Sequence, residues 1–143
     1  MDPASVYLSS EMPDRANHLW RYTSWKKVHP TGDVREIPDV ISAPTAILKT
    51  IDGSPLPEGI TLVQSQTESQ GLPNEEIITK SFLREVTKNS KFTLSVSPKF
   101  RSSTPLVLDI QASGDFCAAH FCLDIGRLAE FQLVTVVRGD CDW

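Results

Sequence analysis

The sequence predicts a mainly β protein of the α+β class, in which short helices lead into a run of strands. Apolar residues recur every four positions at Ile78, Phe82 and Val86, a spacing typical of one helix face. Polar and apolar residues then alternate over residues 91–96, as they do in a half-buried strand. This change of period divides the chain into an N-terminal region at 1–90, with two helices and short strands, and a strand region at 91–143.

The composition is that of a globular protein with a real core. The chain has 143 residues, of which 40% are hydrophobic and 22% are charged, so wholesale disorder is not expected. The formal net charge is -4 and the basic residues are scattered, with Lys26 and Lys27 as the only basic pair. We therefore expect neither nucleic acid nor an anionic membrane as a partner.

The sequence shows no sign of export or membrane insertion. It contains no apolar run long enough to span a bilayer, and residues 1–5 lack the basic and apolar regions of a secretion signal. The number of cysteines is three, and this odd count favours reduced thiols over a disulfide framework. The expected location is therefore cytoplasmic.

The N-terminal region has a predicted helix at residues 13–20, which starts at a proline and has Asp14 in its first turn. Three aromatic residues follow closely, at Trp20, Tyr22 and Trp25. The chain is expected to be extended at Tyr22, because aromatic and β-branched residues suit strands. We interpret the cluster as a local core that fixes the N-terminus, in preference to a ligand-binding aromatic platform.

Residues 29–71 are predicted to be irregular, because prolines and glycines interrupt them repeatedly. Within them, residues 46–51 and 60–63 are predicted strands that form a hairpin with a long connection. A helix follows, with Asn74 as its N-cap and the stripe of apolar residues as its buried face. This face is expected to dock on a sheet, with Phe82 as its anchor.

The region 91–143 contains the remaining predicted strands, which are separated by turn-forming residues. They lie at residues 91–96, 106–110, 116–123 and 131–137. Strands of this length and spacing are able to stack as coils of a β-solenoid or to pair as a sandwich. Their periodicity favours neither arrangement.

Several local motifs occur together in one order. They are a helix that ends in Trp20-Arg21-Tyr22-Thr23, a helix followed by a strand and a proline turn at 92–98, the segment Thr104-Pro105-Leu106-Val107-Leu108, and a Gly-x-x-Ala-Glu turn before a strand at 125–131. In this order they resemble the N-terminal part of the SufB/SufD family of iron–sulfur cluster assembly scaffold proteins. Each motif is short, and the ordered set carries the resemblance.

The resemblance implies both a fold and a role. The strand region would be the first coils of a β-helix-like, right-handed solenoid, preceded by short helical segments. The chain would be a non-catalytic, SufD-like scaffold subunit of the SUF iron–sulfur cluster assembly machinery. Its partners would be a Suf-type ATPase and a SufB/SufD paralogue, and an iron–sulfur cluster would be bound only at the level of that complex.

Members of this family are usually much longer than the present chain, and the residues implicated in cluster assembly lie in their later part. The chain is therefore expected to be an N-terminal fragment, which stops at Trp143 just after a predicted strand. A sheet that stops there has an open edge, which is a template for pairing with another chain. We expect a homodimer formed through residues 131–137.

Four residues are candidate metal ligands, namely Cys117, His120, Cys122 and Cys141. Thiolates and imidazoles are the groups that bind zinc and iron–sulfur clusters. In an extended strand, however, Cys117 points to one face while His120 and Cys122 point to the other, and the spacing matches no established zinc motif. We therefore predict no metal site and interpret Cys117 or Cys122 as a small buried apolar residue.

Catalysis is not expected from the other residue patterns. Neither His18 nor His29 has a Ser, Cys or carboxylate at a spacing typical of a triad, and no phosphate-binding loop or dinucleotide-binding fingerprint occurs. One alternative function is a free-standing β-rich module that binds a ligand or carbohydrate through exposed aromatic residues at 20–25. A second alternative is a metal-dependent enzyme built on His120.

Overall fold

A computed structural model describes residues 2–13, 16, 20–33, 35–65 and 77–140 of the chain. Its elements, in chain order, are α1 (Pro3–Ser9), α2 (Trp25–Val28), β1 (Thr45–Thr50), β2 (Ile60–Ser65), α3 (Ile77–Val86), β3 (Lys91–Val96), β4 (Leu106–Gln111), β5 (His120–Ile125) and β6 (Leu133–Arg138). Within these residues, no helix has the length and apolar character needed to cross a membrane.

Helix α1 has clear local causes, although it is absent from the sequence-based prediction. The Asp2 carboxylate accepts a hydrogen bond from the Ser5 backbone N–H at 3.2 Å and so caps the helix. Pro3 occupies the first helical position, where its fixed φ is favourable and its missing donor costs nothing. The helix that is predicted at residues 13–20 lies mostly outside the described residues.

The chain turns inward after Trp20. Tyr22 lies in a bend, so the extended segment expected there is wrong. Helix α2 then begins at Trp25, and Ser24 is its N-cap residue. Trp25 is buried while Tyr22 is 89% exposed, so the aromatic cluster is divided between the core and the solvent.

The helix predicted from the apolar stripe is confirmed as α3. Ile78, Phe82 and Val86 are buried, and they lie on one face of the helix. This face packs on α1 and not on a sheet, so the expected docking partner is wrong. Tyr7 of α1 and Phe116 belong to the same buried cluster. Aromatic rings from elsewhere in the chain thus supply the apolar surface that a sheet was expected to supply.

The described strands form two mixed, three-stranded sheets. The first sheet has the order β1-β4-β6 and the second has the order β2-β3-β5. In each sheet the central strand pairs antiparallel with the earliest strand and parallel with the latest strand. Strands β1 and β2 therefore belong to different sheets, and the hairpin predicted from them is wrong.

The predicted β-helix-like solenoid is also wrong for the part of the chain that the structure describes. Two separate sheets replace the expected stack of coils, and each begins with an antiparallel strand. The alternation of polar and apolar residues shows which face of a strand is buried, but it does not select the neighbouring strand. In the structure β1 pairs with β4 and β2 pairs with β3, whereas the solenoid prediction placed other coils beside β4 and β3.

Buried apolar residues from both sheets form a common core. Leu48 and Leu106 come from the first sheet, and Ile60, Leu94 and Val96 come from the second. Leu106 and Leu94 are 0% and 1% exposed, so they lie at the centre of this core. Strands β5 and β6 lie at the edges of the two sheets, which places their outer sides at the protein surface.

Candidate functional site

The structure separates the four candidate metal ligands. Cys117 is completely buried, and its backbone forms an isolated β-bridge with Ser42. His120 and Cys122 lie on one face of β5, where Cys122 Sγ is 3.5 Å from His120 Nε2. Cys141 lies outside the described residues. Among the residues that are described, no three His, Cys, Asp or Glu side chains come together in a way that could hold a metal ion.

His29 joins the two N-terminal helices through its ring. Its Nε2 atom is 2.5 Å from the Tyr7 hydroxyl, and its Nδ1 atom is 3.1 Å from the Thr31 hydroxyl. The His29 and Tyr7 rings are stacked with their centroids 5.8 Å apart. His29 is 4% exposed, and both ring nitrogens have partners within the protein, so this arrangement is that of a structural histidine.

Burial determines the protonation of this pair. Burial lowers the pKa of His29 below 6.5, and the nearby carboxylates of Asp33 and Glu36 oppose the shift without reversing it. Burial also raises the pKa of Tyr7 above 10.0. At neutral pH both side chains are therefore uncharged, which suits a ring pair packed against Phe82, whose centroid is 4.8 Å from that of His29.

We expect His29 to make the protein less stable as the pH falls below 6.5. The unfolded chain binds a proton near pH 6.5, whereas folded His29 resists protonation until a lower pH, so acid favours the unfolded state. Urea unfolding between pH 7.5 and 5, followed by circular dichroism, measures this slope. The variant His29→Gln should have a shallower slope than the unmodified protein, and equal slopes would contradict the prediction.

Asp109 links the strands of the first sheet. Its carboxylate accepts a hydrogen bond from Lys49 Nζ of β1 at 2.8 Å and from Arg138 Nη2 of β6 at 2.6 Å. These bonds, that of Arg138 first and that of Lys49 second, lower the pKa of Asp109. An acid held by two cations on the face of a sheet stays ionised and aligns three strands, which is a structural role.

The clefts on the described surface differ in volume. A cleft of about 210 Å³ lies between the end of α3 and the segment 37–43. Its lining includes Glu85, which pairs with Lys88 of the same turn. The volume of this cleft is below the roughly 300–1,000 Å³ of pockets that enclose small organic ligands. Two other clefts, of about 390 Å³ at residues 101–103 and 130–132 and about 400 Å³ at residues 30–31, 38–40 and 115–116, reach the lower end of that range. In the described part of the aromatic cluster, Tyr22 is exposed whereas Trp25 is buried. The two rings therefore do not form a shared ligand-binding platform.

The outer edge of β5 is open, since no described strand pairs with it. Leu123 and Ile125 are aligned with Leu94 and Val96 of β3, which are buried. Side chains that are aligned on neighbouring strands point to the same face of a sheet. Leu123 and Ile125 therefore continue the core, but they are 56% and 51% exposed because nothing in the described chain lies beyond them.

The outer edge of β6 is also free of described partners. The strand reads Leu-Val-Thr-Val-Val-Arg, with its only charge at the last residue, and Val134 and Val137 are 44% and 56% exposed. An apolar edge strand without internal charge is a template for pairing with another chain. The homodimer expected through residues 131–137 would use this edge, and it stays a prediction.

Strand edges could not be identified from the sequence. The segment 116–123 is predicted as a strand, but β5 begins only at His120, and the buried Cys117 instead forms an isolated β-bridge with Ser42. Whether β5 is central or at an edge depends on the strand order, which is set by pairing with distant residues. The exposed apolar residues of β5 are the part of the candidate site that sequence patterns do not indicate.

Comparison with known proteins does not assign this chain to a family. No protein family, curated protein or solved structure matches it. The resemblance to SufB and SufD therefore stands on the short sequence motifs alone.

Proposed function

We propose that the chain is a non-catalytic scaffold component that works by binding other proteins along its open sheet edges. The observation that carries this proposal is the pair of edge strands, β5 and β6, whose apolar side chains are about half exposed beyond a common core. An edge strand offers a row of backbone donors and acceptors to a strand of a partner, and side chains add specificity.

The sequence motifs suggest which machinery this scaffold serves. They support a SufD-like N-terminal part of a cytoplasmic iron–sulfur cluster assembly subunit, with a Suf-type ATPase and a SufB/SufD paralogue as partners. In this proposal the chain supplies a framework, and the cluster is bound elsewhere in the complex. The separation of Cys117 from His120 and Cys122 is compatible with that division of roles.

The proposal is tested with purified proteins from the same source. We expect the chain to co-elute in size-exclusion chromatography with a longer SufB/SufD paralogue, with or without the Suf-type ATPase. Thr135→Pro, in the middle of β6, should weaken this association at least tenfold, because proline removes a backbone donor from an edge strand. Gln64→Pro on β2, the opposite edge of the other sheet, is the matched control, because its N–H also points away from the neighbouring strand.

Two results would count against the scaffold proposal. One is a folded chain that binds neither Suf protein at micromolar concentration. The other is an association that Gln64→Pro weakens as much as Thr135→Pro does, since loss of stability and not loss of the edge would then explain the effect. Circular dichroism of each variant shows whether the chain is folded.

A further inference from the structure

On one side of β5, the backbone N–H and C=O groups face away from β3 and meet no other described strand. The His120 N–H donates to the Ser90 carbonyl at 2.9 Å, and the Gly126 N–H donates to the Val96 carbonyl at 2.8 Å. Backbone groups alternate between the two sides of a strand, so the even-numbered residues of β5 bond to β3. Phe121, Leu123 and Ile125 therefore direct their N–H and C=O groups outward, where no described strand lies.

The side chains of β5 fall into an apolar set and a polar set. Phe121, Leu123 and Ile125 continue the core face, and Phe121 stacks on Phe92 with a centroid distance of 4.8 Å. His120 and Asp124 lie on the outer face, two positions on either side of Cys122. The polar set thus has a basic group at one end, an acidic group at the other and a small residue in the middle.

We propose that a second copy of this chain pairs antiparallel with β5, with Cys122 of one copy opposite Cys122 of the other. A two-fold axis through this point pairs each residue with its counterpart on the other side of the centre. His120 then lies opposite Asp124 of the second copy, twice by symmetry, and Phe121 lies opposite Leu123. The interface is self-complementary in charge and in apolar character.

Other registers fit less well. The two copies of β5 must pair so that their core-facing residues lie opposite each other. A shift of the pairing by one residue would place every core-facing side chain opposite an outward-facing one. A centre at Asp124 would set two aspartates directly opposite each other, which is destabilising. A centre at Leu123 would place Asp124 opposite Cys122 and leave His120 beyond the strand pair. The centre at Cys122 is the register that sets each His120 imidazole opposite the Asp124 carboxylate of the second copy.

Pairing along β5 also covers apolar surface that the single chain leaves in water. Leu123, which is 56% exposed, would gain cover from Phe121 of the second copy, which lies opposite it in this register. This inference does not depend on the scaffold role in iron–sulfur cluster assembly, since it uses only the edge and its side chains. It differs from self-association through residues 131–137, which would use β6.

This register brings the two Cys122 thiols close enough to form a disulfide, which can be measured. Because the Cys122 backbone bonds to β3, the two cysteines would form a non-hydrogen-bonded antiparallel pair, with a Cα separation of about 4.5 Å. That separation lies within the range that a disulfide requires. An added oxidant such as diamide would then join the two thiols, which lose two protons and two electrons to it as the sulfur–sulfur bond forms.

The test uses the full chain at rising concentration. We expect light scattering to give the mass of a dimer, and diamide to produce a cross-linked dimer on a non-reducing gel. With Cys141 replaced by serine throughout, Cys122→Ser should abolish the cross-link without abolishing the dimer, whereas Cys117→Ser should leave the cross-link intact because Cys117 is buried. A monomer at all concentrations overturns the proposal, and a cross-link that survives Cys122→Ser in the chain without Cys141 overturns the register.

Charge reversal gives a second, independent readout of the register. His120→Glu should weaken dimerisation about fivefold to tenfold, since it sets like charges opposite each other at two symmetric positions. The double variant His120→Glu, Asp124→Lys should restore dimerisation, because a negative side chain at position 120 would then lie opposite a positive side chain at position 124. A single variant that dimerises as well as the unmodified chain, or a double variant that is not restored, would overturn the proposed pairing.

Discussion

Replacing Phe82 with alanine is expected to lower the free energy of unfolding by about 3–5 kcal/mol. The side chain is 4% exposed and its ring contacts those of three residues. The ring centroids lie 5.0 Å from Tyr7, 5.5 Å from Trp25 and 4.8 Å from His29. Truncation would remove the contacts that hold α1 and α2 against α3 and would leave a cavity among stiff aromatic rings, which collapse poorly.

The neighbouring residue of α3 provides a matched control. Leu83 is 40% exposed, so Leu83→Ala should cost about 1 kcal/mol or less while changing helix propensity in a similar way. Urea unfolding followed by far-ultraviolet circular dichroism gives both free energies. If Phe82→Ala cost no more than Leu83→Ala, the aromatic cluster would not be the anchor of the N-terminal helices.

The elements that the sequence predicted well are those with a strong local signal. Helix α3 follows from an apolar residue at every fourth position, and β3 follows from strict alternation. Both signals arise within about ten residues and are little affected by the rest of the chain. The capped start of α1, with Asp2 before Pro3, is a local signal of the same kind and was available in the sequence.

The arrangement of the strands could not be predicted in the same way. Strand β1 pairs with β4, and the ion pair between Lys49 and Asp109 that spans them joins residues 60 positions apart. No local pattern records such a pairing, because apolar alternation is the same whichever strand lies alongside. The solenoid and the β1–β2 hairpin were wrong for this reason, although the strands themselves are present.

The candidate site could be predicted only in part, because local sequence patterns do not record which strands lie side by side. The sequence-based prediction placed Cys117, His120 and Cys122 on one strand, but Cys117 lies before β5 and is buried. The exposure of Leu123 and Ile125 depends instead on β5 being the last strand of its sheet. An open edge among the described strands can be recognised only once the strand order is known.

Replacing Gly126 with alanine is expected to lower the free energy of unfolding by about 3 kcal/mol, at the upper end of the cost of overpacking. A Cβ atom at this position would lie 2.3 Å from the Pro98 backbone nitrogen and 2.6 Å from the Ser97 carbonyl carbon. These are backbone atoms, so no side chain can rotate away. The clash falls where β3 and β5 both end, directly beside the edge strand.

The local hydrogen bonds prevent the two segments from moving apart. The Gly126 N–H donates to the Val96 carbonyl at 2.8 Å, and the Lys99 N–H donates to the Arg127 carbonyl at 2.9 Å. Separation of the segments would break these bonds and shift β5 along β3, which would also displace Ile125 from Val96. We therefore expect Gly126→Ala to disturb both the stability and the edge that β5 presents.

Gly53→Ala is the control that separates steric clash from backbone strain. Gly53 has a φ of 76° but open space around its Cβ position, so alanine there should cost only about 1–2 kcal/mol for the left-handed conformation. Urea unfolding measures both variants, and dimer mass by light scattering reports the state of the β5 edge. Equal costs at the two glycines, or an undisturbed dimer in a strongly destabilised Gly126→Ala protein, would show that the close approach of Gly126 to Pro98 does not fix the position of β5.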